Sequence, residues 1–484
     1  MYDVIIIGAG IIGSFLAHDL SKLDCNVLVL DKNADIADGA TMANSAIIHA
    51  GHDPKDDTLK ALLNVKGNRM YPDICKDLGV NFVKTSAFIA STCEEENKVL
   101  EELKVRADKR EIPYYELSGM QARNEEKNLS ENVIRVLEFP TTGIIYPWEV
   151  AIALMEEAVL NETTLHLREE VIQIEKKQHF VVKTKSQSGE QTYEANYVMN
   201  AAGVYADQIY SLLTKQTSPF PITPKRGEYY VLDQLKEPLV KRVIYPVPGP
   251  NGKGVLVVPT THGNYLLGPN SQEVSDKEAV NTTTDALLYV KENVQKTVSN
   301  IPFDKIIRTF AGIRPTGEGK DFVIEEAKDY PGFVNAACID SPGLASAPAI
   351  SQYILETVMQ HAFCFAKKEH YVHRQKPVCV RELPDEEKNK LVKIRPEYGE
   401  IICRCEQVSR GEILDAIQNV VGATTIKGVK KRVRPGMGRC QGGFCEPLVV
   451  DILASALGIS PLQVRLDAEE SYLLLSTGKG EAGE

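Results

Sequence analysis

The start of the chain carries the pattern that most restricts its fold. A β-branched run at 2–7 is typical of a strand buried on both faces, and Gly8, Gly10 and Gly13 follow it in a G-x-G-x-x-G spacing that leads into a helix. Glycine lets a pyrophosphate approach the backbone, and the helix N-terminus stabilises its charge. Asp31 ends the next strand, where a carboxylate accepts hydrogen bonds from a ribose. The sequence therefore predicts a Rossmann-type unit that binds a dinucleotide, FAD or NAD.

Two later segments end in small residues, as strands beside a nucleotide do. A β meander ends in a buried strand that is followed by Ala202 and Gly203. A second strand end leads into 341–348, which predicts the start of a helix. Helix N-termini attract anions, so the amides of Gly343 and Leu344 are suited to the negative charge of a reduced flavin.

Five blocks of sequence carry a family resemblance. They are 43–54, 226–231, 252–259, 310–315 and 341–343. In these blocks and in the N-terminal pattern, residues 1–365 resemble the D-amino-acid oxidase superfamily of FAD enzymes. Within that superfamily they resemble the type II glycerol-3-phosphate oxidase and dehydrogenase group. L-2-hydroxyglutarate oxidases share a block related to the first. The resemblance implies FAD as the cofactor, with Asn44, Ser45 and Gly312 beside it.

Four polar residues are candidates for the chemistry. Oxidising a secondary alcohol beside a flavin needs a base for the hydroxyl proton and cations for an acidic substrate tail. His49 suits the base, because the pKa of histidine lies near neutral pH, although an isolated histidine in an apolar run is commonly an ordinary interior residue. Arg314 offers positive charge for the substrate tail, or it forms an ordinary surface ion pair. Lys253 offers a second charge, or it is a solvated residue of a turn. Ser341 suits a substrate contact or a helix cap. The resemblance places all four against the substrate.

Near the end of the chain, Cys403, Cys405, Cys440 and Cys445 form C-x-C and C-x4-C pairs separated by a spacer of helix length. Such a set predicts a metal site, for which zinc is the simplest occupant. Neighbouring glycines and basic residues favour an iron–sulfur centre, since amides donate to its sulfurs and cations oppose its charge. The basic residues are Lys430, Lys431, Arg432, Arg434 and Arg439. This segment resembles the bacterioferritin-associated ferredoxin type of 2Fe-2S module, and all four cysteines match.

These patterns predict an α/β protein in which a Rossmann-type FAD-binding domain is interleaved with an antiparallel β-sheet substrate domain, followed by a small, mainly helical C-terminal iron–sulfur domain. The expected boundaries are 1–85, 145–215 and 305–370 for the FAD-binding domain, 86–144 and 216–304 for the substrate domain, 371–398 for a linker and 399–484 for the 2Fe-2S domain.

Composition restricts the partners. A net charge of -11 argues against nucleic acid. The sequence shows neither a signal-peptide pattern nor an apolar run of the roughly 18 residues that a membrane span needs. Cysteines grouped for metal binding favour a reducing cytoplasm, and any membrane contact is expected to be peripheral, through a partner.

A flavin accepts two electrons together whereas a 2Fe-2S cluster carries one, so the pair predicts a dehydrogenase that discharges stepwise into a protein acceptor. The hypothesis is FAD-dependent oxidation of sn-glycerol 3-phosphate to dihydroxyacetone phosphate, with electrons passing through the cluster to a partner subunit and on to a quinone or other carrier. One alternative is an FAD/2Fe-2S dehydrogenase of L-2-hydroxyglutarate or of an amino or imino acid such as hydroxyproline. The other is a non-enzymatic electron-transfer protein.

Overall fold

The computed structural model describes residues 1–249, 254–360, 362 and 365–476, so Lys253 lies outside the described residues. Its strands are β1 Tyr2–Ile7, β2 Val27–Asp31, β3 Ile47–Ile48, β4 Val83–Lys84, β5 Ala87–Ser91, β6 Tyr115–Ser118, β7 Arg135–Phe139, β8 Gly143–Ile144, β9 Thr164–Leu167, β10 Glu170–Lys176, β11 Phe180–Ser186, β12 Gly189–Asn200, β13 Ile222–Leu232, β14 Val243–Pro246, β15 Leu256–Pro259, β16 Tyr265–Gly268, β17 Gln272–Glu273, β18 Ile306–Gly317, β19 Val323–Glu326, β20 Phe333–Ala337, β21 Ile401–Cys403 and β22 Val408–Ser409. Its α-helices are α1 Ile11–Leu20, α2 Leu59–Asp77, α3 Asn97–Lys109, α4 Gly119–Glu125, α5 Pro147–Leu160, α6 Ala206–Thr214, α7 Thr284–Val294, α8 Gly343–Tyr353, α9 Asp385–Ile394, α10 Arg410–Gln418, α11 Ile426–Val433 and α12 Glu446–Leu457.

The first sheet is built around β1, which is apolar and buried from Val4 to Ile7. Strand β1 pairs in parallel with β2 on one side and with β12 on the other, so that Val4 lies opposite both Val27 and Tyr197. Strands β9 and β20 extend the parallel part, and β10 and β11 continue it as an antiparallel meander. Helices α1, α5 and α8 contribute to the largest hydrophobic core of the described residues. This arrangement confirms the predicted Rossmann-type unit.

The second sheet runs in the order β17-β13-β16-β15-β14-β5-β7-β6, and β18 pairs along β13. Its pairs are antiparallel apart from β14 with β5. The strand at 306–317 lies in this sheet, although the sequence analysis assigned 305–370 to the FAD-binding domain. It pairs with β13, which lies far away in the sequence, and Gly227 lies opposite Gly312. A local sequence pattern does not reveal such long-range pairing. The domain boundaries as a whole stay a prediction.

The C-terminal part has a core of its own beneath α10, α11 and α12. Ser409 and Glu412 form a capping box at the start of α10, and α12 begins with a proline in its first turn. The charged stretch at 371–398 contains α9, so it is not an irregular linker throughout. Across the described ranges, no helix combines the length and the apolar character needed to cross a membrane.

Candidate active site and thiol cluster

The glycine turn after β1 packs too closely for side chains. Gly8 has a φ of +109°, and a Cβ there would overlap the carbonyl oxygen of Ala201 at the end of β12. A Cβ on Gly13 would overlap the carbonyl oxygen of Gly8, so α1 approaches β1 only with glycine at this position. Gly10 precedes α1 and borders the open space above the sheet. The turn therefore leaves its backbone accessible to a ligand.

Asp31 ends β2 facing this turn. Its Oδ2 accepts a hydrogen bond from the amide of Ala9 at 2.7 Å, and its Oδ1 accepts one from the amide of Asn33 at 2.8 Å. Burial raises the pKa of the Asp31 carboxyl, and the two backbone hydrogen bonds oppose that rise. Because each carboxylate oxygen has two lone pairs, the side chain can tie the turn to β2 and also accept from a ribose.

A cavity of about 1950 Å³ extends from this turn to the second sheet. The predicted site residues that line it are Gly8, Gly10, Asp31, Asn44, Ser45, His49, Ala202, Gly203, Gly312, Arg314, Ser341, Gly343 and Leu344. Gly13 does not line the cavity, because it lies within α1 against the glycine turn. The fold thus brings the predicted nucleotide and substrate residues together from distant segments of the chain.

His49 follows β3 and borders the cavity. Its Nδ1 lies 3.0 Å from the hydroxyl oxygen of Tyr245 on β14, and its carbonyl oxygen accepts a hydrogen bond from Asn64 at 2.8 Å. Burial, with a contribution from Asp53, raises the pKa of Tyr245 well above its ordinary value, so the hydroxyl stays neutral. The imidazole tautomer that carries its proton on Nδ1 leaves the lone pair on Nε2 to accept a proton. Sequence reasoning missed Tyr245, because only the pairing of distant strands brings it to His49.

Arg314 extends from β18 into the same cavity. Its guanidinium donates to the carbonyl oxygen of Asn270 at 3.3 Å and to the hydroxyl of Ser271 at 3.4 Å. Both of these acceptors are neutral, so they hold the planar group without neutralising its charge. Ser341 is exposed at the start of the turn that leads into α8, and it also lines the cavity.

The N-terminus of α8 faces the cavity. The dipole of this helix therefore stabilises negative charge in that part of the cavity. The amide of Gly343 donates to the carbonyl oxygen of Asp340 at 2.6 Å, so it is engaged within the turn and differs from the sequence expectation. Of the two predicted anion donors, the amide of Leu344 therefore stays a candidate. The carbonyl oxygen of Leu344 accepts a hydrogen bond from the Tyr71 hydroxyl at 2.6 Å, which fixes this first turn.

Asn44 and Ser45 fix the loop that precedes β3. Asn44 Nδ2 donates to the carbonyl oxygen of Thr41 at 2.9 Å, and its Oδ1 accepts from the amide of Ala46 at 2.7 Å. Ser45 Oγ lies 3.1 Å from the hydroxyl oxygen of Tyr229 on β13. The loop is therefore held in place by its own backbone and by the second sheet.

Gly312 completes this contact from β18. A Cβ on Gly312 would overlap the carbonyl oxygen of Ala43, so glycine is needed for the loop to lie against the strand. Phe310, two residues earlier, stacks on Tyr229 with ring centroids 4.6 Å apart. Neither aromatic ring was singled out from the sequence, where each reads as an ordinary strand residue.

The four predicted cysteine ligands lie together. Cys405 Sγ is 3.8 Å from Cys403 Sγ and 3.9 Å from Cys440 Sγ, and Cys403 also contacts Cys445. A Cβ on Gly438 would lie 2.5 Å from Cys405 Sγ, so glycine is required where the two cysteine loops meet. The described cysteines are all free thiols. Four thiols in one cluster form the donor set that iron–sulfur centres use.

Comparison with known protein families decides the classification. The FAD-dependent oxidoreductase family, which includes D-amino-acid oxidase, matches residues 3–357. The chain belongs to this family. Residues 401–455 match the BFD-like [2Fe-2S] binding domain, which contains all four cysteines. The protein is therefore an FAD-dependent oxidoreductase with a C-terminal 2Fe-2S domain.

Three relatives show how far the likeness extends. The glycerol 3-phosphate dehydrogenase of Caloramator mitchellensis is 44% identical over 99% of this chain and 100% of its own length. The glycerol 3-phosphate oxidase of Mycoplasma genitalium is 32% identical over 73% of this chain and 94% of its own. The structure of dithionite-reduced L-α-glycerophosphate oxidase from Mycoplasma pneumoniae, with FAD bound, has a TM-score of 0.73 and 29% identity over 77% of this chain and 98% of its own.

The 2Fe-2S domain of this oxidoreductase forms part of the wall of the FAD cavity. Lys427, Lys430, Arg434, Met437 and Gln441 line the cavity from the C-terminal side. Of these, Lys430 interacts electrostatically with two of the cluster cysteines. The sequence did not reveal that one cavity would be shared by both parts of the chain.

An aromatic stack lies where the two parts meet. The Tyr146 ring stacks on Trp148, with centroids 4.6 Å apart, and on His262, with centroids 5.0 Å apart. The guanidinium of Arg434 lies over Tyr146 at 5.2 Å, and its Nε donates to Glu406 at 3.1 Å. Burial and the charge of Arg434 lower the pKa of His262 to about 3, so this imidazole is neutral. The contact is thus packed and contains a buried cation.

Two basic residues of α11 do not serve the role expected for them. Lys431 is 1% exposed and lies 3.0 Å from Asp35 and 2.8 Å from Asp38. Arg432 forms two hydrogen bonds to Asp35, at 2.8 and 2.9 Å. From the sequence, both charges were expected beside the iron–sulfur centre. The structure corrects this, because on a helix these side chains face the FAD-binding domain and hold the two domains together.

Proposed function

We propose that the protein is an FAD-dependent dehydrogenase that oxidises sn-glycerol 3-phosphate to dihydroxyacetone phosphate. The observation that carries this proposal is the single cavity, which is lined by the dinucleotide-binding turn, by His49 and by Arg314. The full-length likeness to a glycerol 3-phosphate dehydrogenase supports the choice of substrate. Lys253, which lies outside the described residues, is proposed as a second cation.

His49 is the proposed base and Arg314 the proposed phosphate-binding residue. Bound FAD supplies the two-electron acceptor, and the 2Fe-2S cluster supplies one-electron transfer out of the protein. Nε2 of His49 takes the proton of the substrate hydroxyl while the hydrogen on the same carbon leaves as hydride. The planar guanidinium of Arg314 suits bidentate binding of the substrate phosphate. Ser341, which is exposed at the cavity, is proposed to donate a hydrogen bond to the substrate.

The remaining proposed contacts position the cofactor. The glycine turn and Asp31 are proposed to hold the dinucleotide, and the loop that contains Asn44 and Ser45 the ring system. Ala202, Gly203 and Gly312 border the same space, and the Leu344 amide is proposed to face the negative charge of the reduced ring. Loops and strand ends from both sheets thus enclose the cofactor.

We further propose that the electrons pass to a separate acceptor protein, and that the reaction takes place in the cytoplasm. A cluster that accepts single electrons suits stepwise discharge to a carrier, and cysteines grouped for metal binding suit a reducing compartment. Any association with a membrane would then depend on that acceptor.

The test is an anaerobic titration of the purified holoprotein with glycerol 3-phosphate, followed by absorbance and EPR spectra. Bleached flavin together with a reduced-cluster EPR signal is expected. Cys445→Ser should still bleach its flavin but lose the EPR signal, whereas the matched control Cys93→Ser, at an exposed cysteine, should keep both. Flavin that bleaches without any reducible cluster would contradict the proposed exit of electrons.

A panel of acids under the same conditions separates the alternatives. L-2-hydroxyglutarate dehydrogenases are also relatives, for example that of Escherichia coli K12, 29% identical over 56% of this chain. Faster bleaching by L-2-hydroxyglutarate or hydroxyproline than by glycerol 3-phosphate would move the assignment to that substrate. Failure of every acid in the panel, and of glycerol 3-phosphate, to bleach the flavin would favour the non-enzymatic electron-transfer alternative.

A further inference from the structure

Arg314 and Gly227 lie on the cavity-facing side of two neighbouring strands. Strands β13 and β18 are antiparallel, with Gly227 opposite Gly312 and Lys225 opposite Arg314. Glu273, on β17, lies opposite Lys225 and not opposite Arg314. Residues two apart on a strand share a face of the sheet, and a long side chain reaches the diagonal position on the next strand. Because Gly312 and Arg314 line the cavity, their neighbour Gly227 lies on the same face.

The guanidinium of Arg314 occupies the space that a side chain at Gly227 would fill. A Cβ at this position would lie 2.4 Å from Nη2 of Arg314 and 3.0 Å from its Cζ. The backbone at Gly227 has no positive φ, so chain conformation does not call for glycine there. Space for the guanidinium is therefore the reason why this position suits glycine.

Two uncharged acceptors fix the direction of this guanidinium. Nη2 of Arg314 donates to the carbonyl oxygen of Asn270 at 3.3 Å, and Nη1 donates to Oγ of Ser271 at 3.4 Å. Asn270 is buried and is itself fixed, because its Oδ1 accepts a hydrogen bond from the amide of Glu228 at 2.7 Å. The acceptors thus orient the guanidinium and leave its positive charge available to an anion.

We propose that Gly227, Asn270 and Ser271 are positioning residues that orient Arg314 toward the anionic tail of the substrate. The proposal rests on the proposed function, since Arg314 is the residue proposed there to bind the phosphate. A guanidinium binds such a group through two parallel N–H groups, so its direction determines the affinity for the substrate. A contact that is equal in the bound substrate and in the transition state changes affinity and not the limiting rate.

The experiment measures the rate of flavin reduction in the anaerobic holoprotein against the concentration of glycerol 3-phosphate, which gives a half-saturating concentration and a limiting rate. Gly227→Ala, Arg314→Lys and the double variant form a double-mutant cycle. Ser271→Asp places a carboxylate beside Arg314 at an exposed position, and Ser271→Asn is its uncharged counterpart. The matched control is Gly319→Ala, in the turn after β18, where a Cβ would have no neighbour within 4 Å.

Gly227→Ala should raise the half-saturating concentration by about fivefold to 150-fold and leave the limiting rate within about threefold of wild type. In the Arg314→Lys background Gly227→Ala should cost less than about threefold, because lysine has no planar group to displace. Ser271→Asp should raise the concentration by about tenfold or more, since its carboxylate competes with the substrate for Arg314. Ser271→Asn should raise it much less, and Gly319→Ala should match wild type.

A crystal structure of the Gly227→Ala holoprotein tests the geometry without any substrate. The guanidinium of Arg314 should move away from the carbonyl oxygen of Asn270, while β13 and β18 keep their register. The new Cβ would also lie 3.0 Å from Cβ of Pro269, so the variant carries a second packing cost. If Gly227→Ala does not fold, the pair of Ser271 variants decides, because Ser271 is exposed.

Three outcomes would overturn the proposal. Equal costs of Gly227→Ala in both backgrounds would show that it acts through the fold and not through Arg314. A wild-type half-saturating concentration in Ser271→Asp would exclude an oriented, unpaired guanidinium at this place, and an unmoved Arg314 in the crystal structure would exclude the role of Gly227. Failure of the proposed function has a different signature, because glycerol 3-phosphate would then leave the wild-type flavin oxidised while Gly227→Ala still displaced Arg314.

Discussion

The orientation of His49 depends on Tyr245, which lies 196 positions later in the chain. His49 follows β3 at the FAD cavity, whereas Tyr245 lies on β14 of the second sheet. Because burial keeps the Tyr245 hydroxyl neutral, it is a constant hydrogen-bond partner for Nδ1. Tyr245 thus acts as a positioning residue, and His49 is the group proposed to reach the substrate.

Substitutions at these two positions should differ in size of effect. His49→Gln removes the proposed base, so the rate of flavin reduction by glycerol 3-phosphate should fall by about 100-fold to 10,000-fold. Tyr245→Phe keeps the ring and loses one hydrogen bond worth about 1 kcal/mol, so the rate of flavin reduction should fall by roughly fivefold. Anaerobic stopped-flow absorbance measures both, with Tyr115→Phe, at an exposed position on β6, as the unchanged control. A His49→Gln protein that bleached at the wild-type rate would exclude the base assignment.

At the scale of elements, the glycine turn sets the distance between α1 and β1. In Gly13→Ala the new Cβ would overlap the carbonyl oxygen of Gly8, so the turn must shift. A packing cost of about 1–3 kcal/mol should raise the dissociation constant for FAD by about fivefold to 150-fold. Flavin fluorescence during titration of the apoprotein measures this constant. Gly39→Ala is the matched control, because it lines the same cavity but its Cβ would have no neighbour within 4 Å. Equal FAD affinity in both variants would contradict the packing argument.

Elements with a strong local pattern could be predicted from the sequence. Strand β1, its glycine turn and the start of α1 are specified by contiguous residues, and the structure has them where the sequence predicted them. The partner of 306–317 could not be predicted, because pairing with β13 joins strands far apart in the chain. Lys431 was misjudged for a related reason, since its proximity in sequence to the cysteines says nothing about the side of α11 on which it lies.

The same limit applies to the candidate site. The spacing of the glycines predicted a dinucleotide and that of the cysteines a metal site, and the family resemblances implied FAD and a 2Fe-2S cluster. His49 and Arg314 were proposed from chemistry and resemblance. Tyr245 and the cavity wall formed by α11 carry no local signal, because both arise from the packing of distant segments. Residues that belong to a ligand-binding motif can therefore be recognised in a sequence, whereas the residues that position them are recognised only in the folded structure.

For the whole molecule, the buried charges at α11 join the two cofactor domains. Asp35 lies at 2.8 Å from Arg432 and 3.0 Å from Lys431. Although burial opposes ionisation of Asp35, the two cations overcome it and hold the pKa of this carboxyl below its ordinary value. A fixed interface suits a protein in which both domains line one cavity, because loss of docking would also open the FAD site.

Asp35→Asn leaves Lys431 and Arg432 buried with one fewer negative partner, and should lower the free energy of unfolding at pH 7 by about 3–5 kcal/mol. The pKa of Asp35 is depressed in the folded state, so its contribution is complete above the unfolded value of about 3.9 and is lost as pH falls toward the lower folded value. In thermal unfolding from pH 7 to pH 3, the gap between wild type and variant should therefore be constant above about pH 4 and begin to narrow below it, closing only as the pH approaches the lower folded pKa of Asp35. Asp385→Asn, 94% exposed on α9, should follow wild type at every pH. A constant gap between Asp35→Asn and wild type across this range would show that lost packing, and not the charge of Asp35, destabilises the interface.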